Sequence, residues 1–331
     1  MRQVTDQYGK TAQTRPPAKL NLFLELLARR PDGFHDIDTV MIPIDWRDEL
    51  QLQRIPDNRI DLQVQWLPSQ QIVAQRLGVE IGSPDGRNLL DIPSDESNLV
   101  HRALAAFREA FDVEDGFCCQ LGKQIPAGAG LGGASSDAAS ALLCAAHLCD
   151  IPADTPLLSE LAAEIGSDVP FFLGMGGPDP IDGARATGRG EQIHAIELGK
   201  KIDFIVIFPA ICLSTAAVYA ASQVPSKPRD ATALVDLLQD QKTTDLGPAM
   251  LNRLTEPAKK LAPQIAEILE SLWHDQLRTC QLTGSGSACF AISTSSGHAK
   301  QAASRLRARL EPGGFVMATQ STQVPAKIDV S

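Results

Sequence analysis

In the first third of the chain, apolar residues fall in short runs and in strict alternation, the two signatures of strands, and helical spacing dominates only from about residue 99. Residues 17–28, PAKLNLFLELLA, mix alternation with an apolar run and predict a buried strand followed by the turn RRPDG. A second strand is expected after Gly33, and Asp48 and Glu49 lead into a third. LQLQR and IDLQVQ read as strands, whereas the polar, glycine-bearing SPDGRNLLDIPSDES, 83–97, reads as a loop. Ser94, Asp95 and Ser97 precede apolar residues at helical spacing, which predicts a capped amphipathic helix through NLVHRALAAFREAF.

Beyond residue 116 the pattern mixes both periods. GFCCQLGKQIP reads as a strand, ASSDAASALLCAAHL as an apolar helix, and PLLSELAAEIG as a second helix ending at Gly166. KIDFIVIFPAICLSTAAVYAA runs from strand into helix. SKPRDATALVDLLQDQKTTDLGPA and EPAKKLAPQIAEILESLWHD supply helices, and QLRTCQLTGSGSACFAIS places a glycine turn between two strands. A helix near 297–310 and a strand near GGFVMAT close an α+β second half.

Between the strand ending at Lys123 and the helix after it stands a glycine-rich segment, Pro126, Ala127, Gly128, Ala129, Gly130, Leu131, Gly132, Gly133, Ala134, Ser135 and Ser136. Glycines there allow positive φ and close ligand approach, and a helix start leaves several N–H groups unpaired beside the positive dipole end, so an anion is bound by geometry and charge together. A tight turn is the alternative. The loop lacks the Lys-Ser or Lys-Thr ending of a Walker A sequence, and no acidic residue follows at the distance a dinucleotide turn requires. Lys123 sits near those phosphates or is simply solvated. Taken alone, Lys19 reads as a solvated edge charge, Phe34 as core, His35 as a surface or capping residue, Asp168 as a turn or cap residue and Tyr219 as core or ligand contact.

PAGAGLGGASSDAA resembles the ATP loop of the GHMP kinases, the superfamily of galactokinase, homoserine kinase and mevalonate kinase. The amino-terminal block PAKLNLFLELLARRPDGFHDIDTV is similar to the branch whose acceptor is a cytidine-diphosphate-linked methylerythritol. GSDVPFF and LTGSGSACFA resemble two further family blocks. The resemblance spans residue 16 to about 320 and implies an α+β, two-domain GHMP kinase fold with its site in the inter-domain cleft. The polar start, 1–14, reads as a disordered tail, and the resemblance divides the rest into an N-terminal domain, 15–182, and a C-terminal domain, 183–331. It further implies Lys19 and Asp168 as the catalytic pair, Asp168 also touching the substrate with Asn21. Phe34, His35, Thr215 and Tyr219 fall on the cytosine, with Phe34 and Tyr219 sandwiching the base. Gly284, Ser285 and Gly286 would close over phosphates, Asn98 would lie near adenine, and residues 183–198 would pair as strands with Arg189 at their turn. ATP is the implied phosphoryl donor. Mg²⁺ would be held mainly by phosphate oxygens and water, with Ser135 or Ser136 as hydroxyl contacts and no separate protein metal site. Another GHMP small-molecule kinase, or a nucleotide-binding sensor without turnover, are the alternatives.

Composition adds limits. At 331 residues, 44% hydrophobic and 21% charged, the chain has material for one large or two medium cores. Its net charge of −10 opposes non-specific attraction to nucleic acid or anionic membrane, so an anionic substrate must be held locally. The 7 cysteines form no Cys-x-x-Cys pair, which favours reduced, buried thiols. With no apolar run of membrane-spanning length and no secretory leader, a cytoplasmic enzyme is expected, as a monomer or weak homodimer acting on ATP and a small molecule.

Overall fold

Alternation in the first half resolves into strands, of which β2 and β3 are covered on both faces while β1, β4 and β5 keep one face partly open. The computed structural model describes residues 8–174, 179–241, 246–310 and 313–331. The chain opens with β1 (Thr11–Thr14), β2 (Pro17–Arg29), β3 (His35–Arg47), β4 (Glu49–Ile55) and β5 (Ile60–Trp66), then the short helices α1 (Gln70–Leu77) and α2 (Pro84–Leu90) and the longer α3 (Leu99–Ala110). β6 (Gly116–Lys123) feeds the glycine loop, which enters α4 (Gly133–Leu148), followed by α5 (Pro156–Ile165) and α6 (Val169–Leu173). The hairpin β7 (Gly183–Thr187) and β8 (Gln192–Ile196) precedes β9 (Asp203–Phe208), α7 (Thr215–Ala220), α8 (Thr232–Gln239), α9 (Leu246–Ala249) and β10 (Leu251–Asn252). The chain ends with α10 (Thr255–Leu261), α11 (Gln264–His274), β11 (Cys280–Leu282), β12 (Cys289–Ser293), α12 (Ser296–Leu310), β13 (Phe315–Gln320) and β14 (Ile328–Val330).

Among the described residues the strands form three sheets, ordered β14-β1-β4-β6-β5, β10-β2-β3-β7-β8 and β11-β12-β9-β13. Their pairs are antiparallel except β5 with β6 and β10 with β2. β2 is buried from Pro17 to Leu26, which explains why its sequence reads as a near-continuous apolar run. α4 is buried on nearly every face, and its alanines, glycine and serines let α3, α6, β1 and β4 approach it closely. The boundary expected between 182 and 183 falls where β7 begins, and β7 pairs with β3 on the other side of it, as Thr39↔Ala186 to Met41↔Ala184.

Two expectations are corrected. Thr11–Thr14, assigned to a disordered tail, are a strand held between β4 and the carboxy-terminal β14, with residues 1–7 outside those described. Its four residues carry too little pattern to predict, because the partners that stabilise it, such as Leu52 and Val330 opposite Ala12, lie far along the chain. The segment expected as a loop contains α2, whose Ser83 side chain accepts from the Gly86 N–H and whose first residue is Pro84. Serine cap and proline start are helix signals, and Asp85-Gly86 behind them hid the short helix as a turn.

Candidate active site

β2 runs along the floor of a cleft of about 1390 Å³ and brings Lys19 and Asn21 to it. Both point inward because two residues apart on a strand share a face. The Lys19 ammonium, only 4% exposed, donates to Asn21 Oδ1 at 2.5 Å and lies 3.5 Å from Asp168 Oδ2. Asp168 precedes α6, and its side chain stays 34% exposed toward the cleft. The Asn21 amide is fixed in turn: its Nδ2 donates to Thr39 Oγ1 (2.8 Å), which itself donates to the Phe23 carbonyl (2.6 Å). The Asn21 backbone N–H donates to Thr283 Oγ1 at 3.0 Å.

The glycine loop lies against this floor. The Lys19 N–H donates to the Leu131 carbonyl at 2.9 Å, and the Ala288 N–H donates to the Ala129 carbonyl at 3.0 Å. The loop is thereby stitched to β2 on one side and to the β11–β12 turn on the other. Gly128, Gly130 and Gly132 have φ of +64°, +74° and +72°, a region that L side chains rarely adopt. A Cβ on Gly130 would stand 2.3 Å from the Thr283 carbonyl oxygen, and one on Gly132 would meet Lys19 Cγ and the Phe172 ring at 3.0 Å. Glycine is required there by close approach as well as by φ.

At the other end of the cleft, Phe34 and His35 follow the turn at Gly33. Phe34 is 53% exposed and lies under the guanidinium of Arg189, 5.6 Å from the ring centre. The His35 and Tyr219 rings lie 5.5 Å apart at 39°. Burial, and then the nearby Arg29 charge, hold the His35 pKa below its ordinary value. Burial and the Asp168 carboxylate push the Tyr219 phenol well up, so it stays protonated. Thr215 and Ser285 share a 2.9 Å hydrogen bond between hydroxyls, which ties α7 to the second glycine turn.

The cleft therefore gathers every sequence-named site residue except Ser136 and Gly286, which do not line it. Asn98, the expected adenine neighbour, also lines it, while its side chain caps α3 by accepting from the Val100 N–H and donating to the Pro93 carbonyl. Lys123 is corrected: it is neither solvated nor free for a phosphate but buried between Asp48 and Asp137. Burial alone would lower its pKa; the two carboxylates raise it instead, while burial raises Asp137 despite that lysine. Sequence reasoning also missed Thr39, Thr283 and Asn252, whose Nδ2 donates to the Leu282 and Gly284 carbonyls at 2.9 and 2.8 Å and shapes the second glycine turn. Nothing local distinguishes these three from other polar residues in strands and turns. For a hard cation near the phosphates the donor set is suitable. Ser135 lines the cleft, and behind it Ser136 Oγ is a buried oxygen with no hydrogen-bond partner among the described residues.

Residues 98–176 match the GHMP kinases N terminal domain, and 234–312 match the GHMP kinases C terminal. A 4-diphosphocytidyl-2-C-methyl-D-erythritol kinase of Rhodopirellula baltica is 45% identical over 326 residues, 96% of this chain and 98% of its own length. The crystal structure of a 4-(cytidine 5′-diphospho)-2C-methyl-D-erythritol kinase, 32% identical, matches 93% of this chain and 98% of its own with a TM-score of 0.70. A homoserine kinase from Cytophaga hutchinsonii also reaches 0.70, at 18% identity and 99% coverage of both chains, and so shares the fold.

Proposed function

Because this chain belongs to the 4-diphosphocytidyl-2-C-methyl-D-erythritol kinase family of GHMP kinases, we propose that it transfers the γ-phosphate of ATP to the 2-hydroxyl of that cytidine compound in the non-mevalonate route to isoprenoids. The observation that carries the reading is the Lys19–Asp168 contact at 3.5 Å, set on the cleft floor beside both glycine segments. Phosphoryl transfer needs positioning and charge neutralisation more than covalent help from the protein. Here Asp168, still open to the cleft, accepts or orients the proton of the attacking hydroxyl. Lys19 neutralises charge on the same oxygen, and Asn21, locked by Thr39 and Thr283, holds the ammonium in place.

The N–H groups of the loop and of the first turn of α4 receive phosphate oxygens, which lets an acidic protein bind an anion without a basic clamp. The turn at Gly284 and Ser285 closes the opposite side. Phe34, His35 and Tyr219 take the cytosine, the rings by stacking and His35 by bonding the base edge as a neutral imidazole. Mg²⁺, when bound with the nucleotide, neutralises charge on the phosphates, and Ser135 with Ser136 would hold its water shell. Among the described residues no helix is long and apolar enough to cross a membrane.

The direct test is ATP consumption by the purified protein with Mg²⁺, with the cytidine compound, homoserine, mevalonate or galactose as acceptor. Turnover on the cytidine compound alone is expected. Turnover on another alcohol keeps the kinase and overturns the acceptor, and nucleotide binding without turnover on any of them overturns the catalytic reading.

A further inference from the structure

Beneath the phosphate loop lies an ion cluster that the transfer chemistry does not use. Lys123, the last residue of β6, is buried and donates to Asp137 Oδ2 at 2.6 Å and to Asp48 Oδ2. Asp48, the single residue between β3 and β4, is completely buried, and its Oδ1 accepts the N–H groups of Gln124 (2.5 Å) and Ile125 (2.8 Å). Asp137 stands in the second turn of α4 and is 1% exposed. One partner therefore comes from the segment entering the loop and one from the helix leaving it, while the third grips the two peptide groups where the loop begins.

The placement matters because of what the loop is made of. Gly128, Gly130 and Gly132 give it high backbone freedom, and ordering such a segment when ligand arrives opposes binding. Its middle is fixed by the bonds at Ala129 and Leu131; its ends are fixed through the cluster. Three buried ions are a costly way to fill a core that apolar side chains would fill more stably. Their directional bonds, unlike apolar contacts, fix the orientation of particular peptide groups.

We propose that Asp48, Lys123 and Asp137 are positioning residues for nucleotide binding: they clamp both ends of the glycine loop and hold its N–H groups in the shape that receives phosphate oxygens. The proposal rests on the assignment of that loop to ATP given above.

Calorimetric binding of a non-hydrolysable ATP analogue to wild type, Asp137→Ala and Asp137→Asn, with Mg²⁺ and again in chelator, tests it, alongside binding of the cytidine substrate. The alanine variant is expected to bind the analogue about tenfold more weakly in both conditions, equivalent to about 1.4 kcal/mol. The asparagine variant, which keeps the shape and an acceptor for Lys123, should lose about threefold, roughly half that free energy. Binding of the cytidine substrate should stay within about twofold of wild type, a difference near the limit of what binding data resolve. Unchanged analogue affinity overturns the proposal, as does equal loss of both ligands, which marks a general structural role. A loss confined to Mg²⁺ also overturns it, by making Asp137 a cation ligand. If the alanine variant does not fold, the asparagine variant is read against the same outcomes. Wild type that binds no analogue in either condition refutes the ATP reading itself, and the clamp with it.

Discussion

Asp168 and Lys19 touch, yet their surroundings differ in a way that separates their roles. Lys19 is sealed on the cleft floor and bonded to Asn21, whereas a third of the Asp168 side chain remains open to an incoming hydroxyl. Asp168→Asn keeps the size of the side chain and removes the charge that accepts or orients a proton. A fall in kcat of about 10²–10⁴-fold is expected. The affinity for a non-hydrolysable ATP analogue should move less than about threefold, under about 0.7 kcal/mol, because a carboxylate has no donor to offer the phosphate oxygens, which the loop's N–H groups receive. Steady-state kinetics with parallel calorimetry check this, and an unchanged kcat removes Asp168 from the chemistry. The sequence named this pair through motif resemblance; that the two groups meet at 3.5 Å is a matter of how β2 and α6 pack.

At the scale of elements, the site is a junction of two glycine segments held to one strand. Gly130 is the tightest point, since its hypothetical Cβ would lie 2.3 Å from a main-chain oxygen of the second segment. Gly130→Ala therefore meets two penalties: about 1–2 kcal/mol for a left-handed L residue and about 1–3 kcal/mol for overpacking against backbone. Thermal unfolding should show a loss of at least about 2 kcal/mol, with turnover falling further because both phosphate-facing turns are displaced together. A variant that melts and turns over as wild type would mean that the junction is looser than its geometry. Glycine in the loop was legible from composition, but the reason Gly130 tolerates no side chain, an approach from Thr283 some 150 residues away, was not.

Across the whole molecule, an ion pair far from the chemistry joins distant parts of the chain. Glu25 of β2 is fully buried and accepts from Arg253 Nε and Nη2, at 2.7 and 2.6 Å, and from the Arg229 N–H at 3.2 Å. Burial alone would raise its pKa, but the Arg253 bonds and the backbone donors outweigh it and hold the carboxyl below its ordinary 4.5. A carboxyl lowered in the folded state binds fewer protons there than in the unfolded chain. Its stabilisation is thus present above the ordinary glutamate range and is lost as pH falls through 4.5 toward the lower native value. Thermal melts between neutral pH and pH 3 should fall less steeply for Glu25→Gln than for wild type; parallel slopes would remove Glu25 from the acid response. Glu25→Ala should cost about 2 kcal/mol at neutral pH, less than the roughly 3–5 kcal/mol of a wholly buried pair because Arg253 stays one-third exposed.

What the sequence determined by itself was whatever depends on neighbours along the chain. Apolar runs, alternation and turn signals placed β2 to β6, helical spacing placed α3, α5 and α11, and the run from Pro126 to Ser136 announced a loop that enters a helix. Each of these is a local property, set by side-chain period, by the φ that glycine permits or by unpaired N–H groups at a helix start. What only the tertiary structure decided was pairing at a distance. β1 is a strand because β4 and β14 flank it, Lys123 is buried because Asp48 and Asp137 converge on it, and Tyr219 meets His35 because α7 packs over β3's first residue. Burial, ion pairing and strand pairing are free energies of contacts between residues far apart in sequence, and no window along the chain contains both partners.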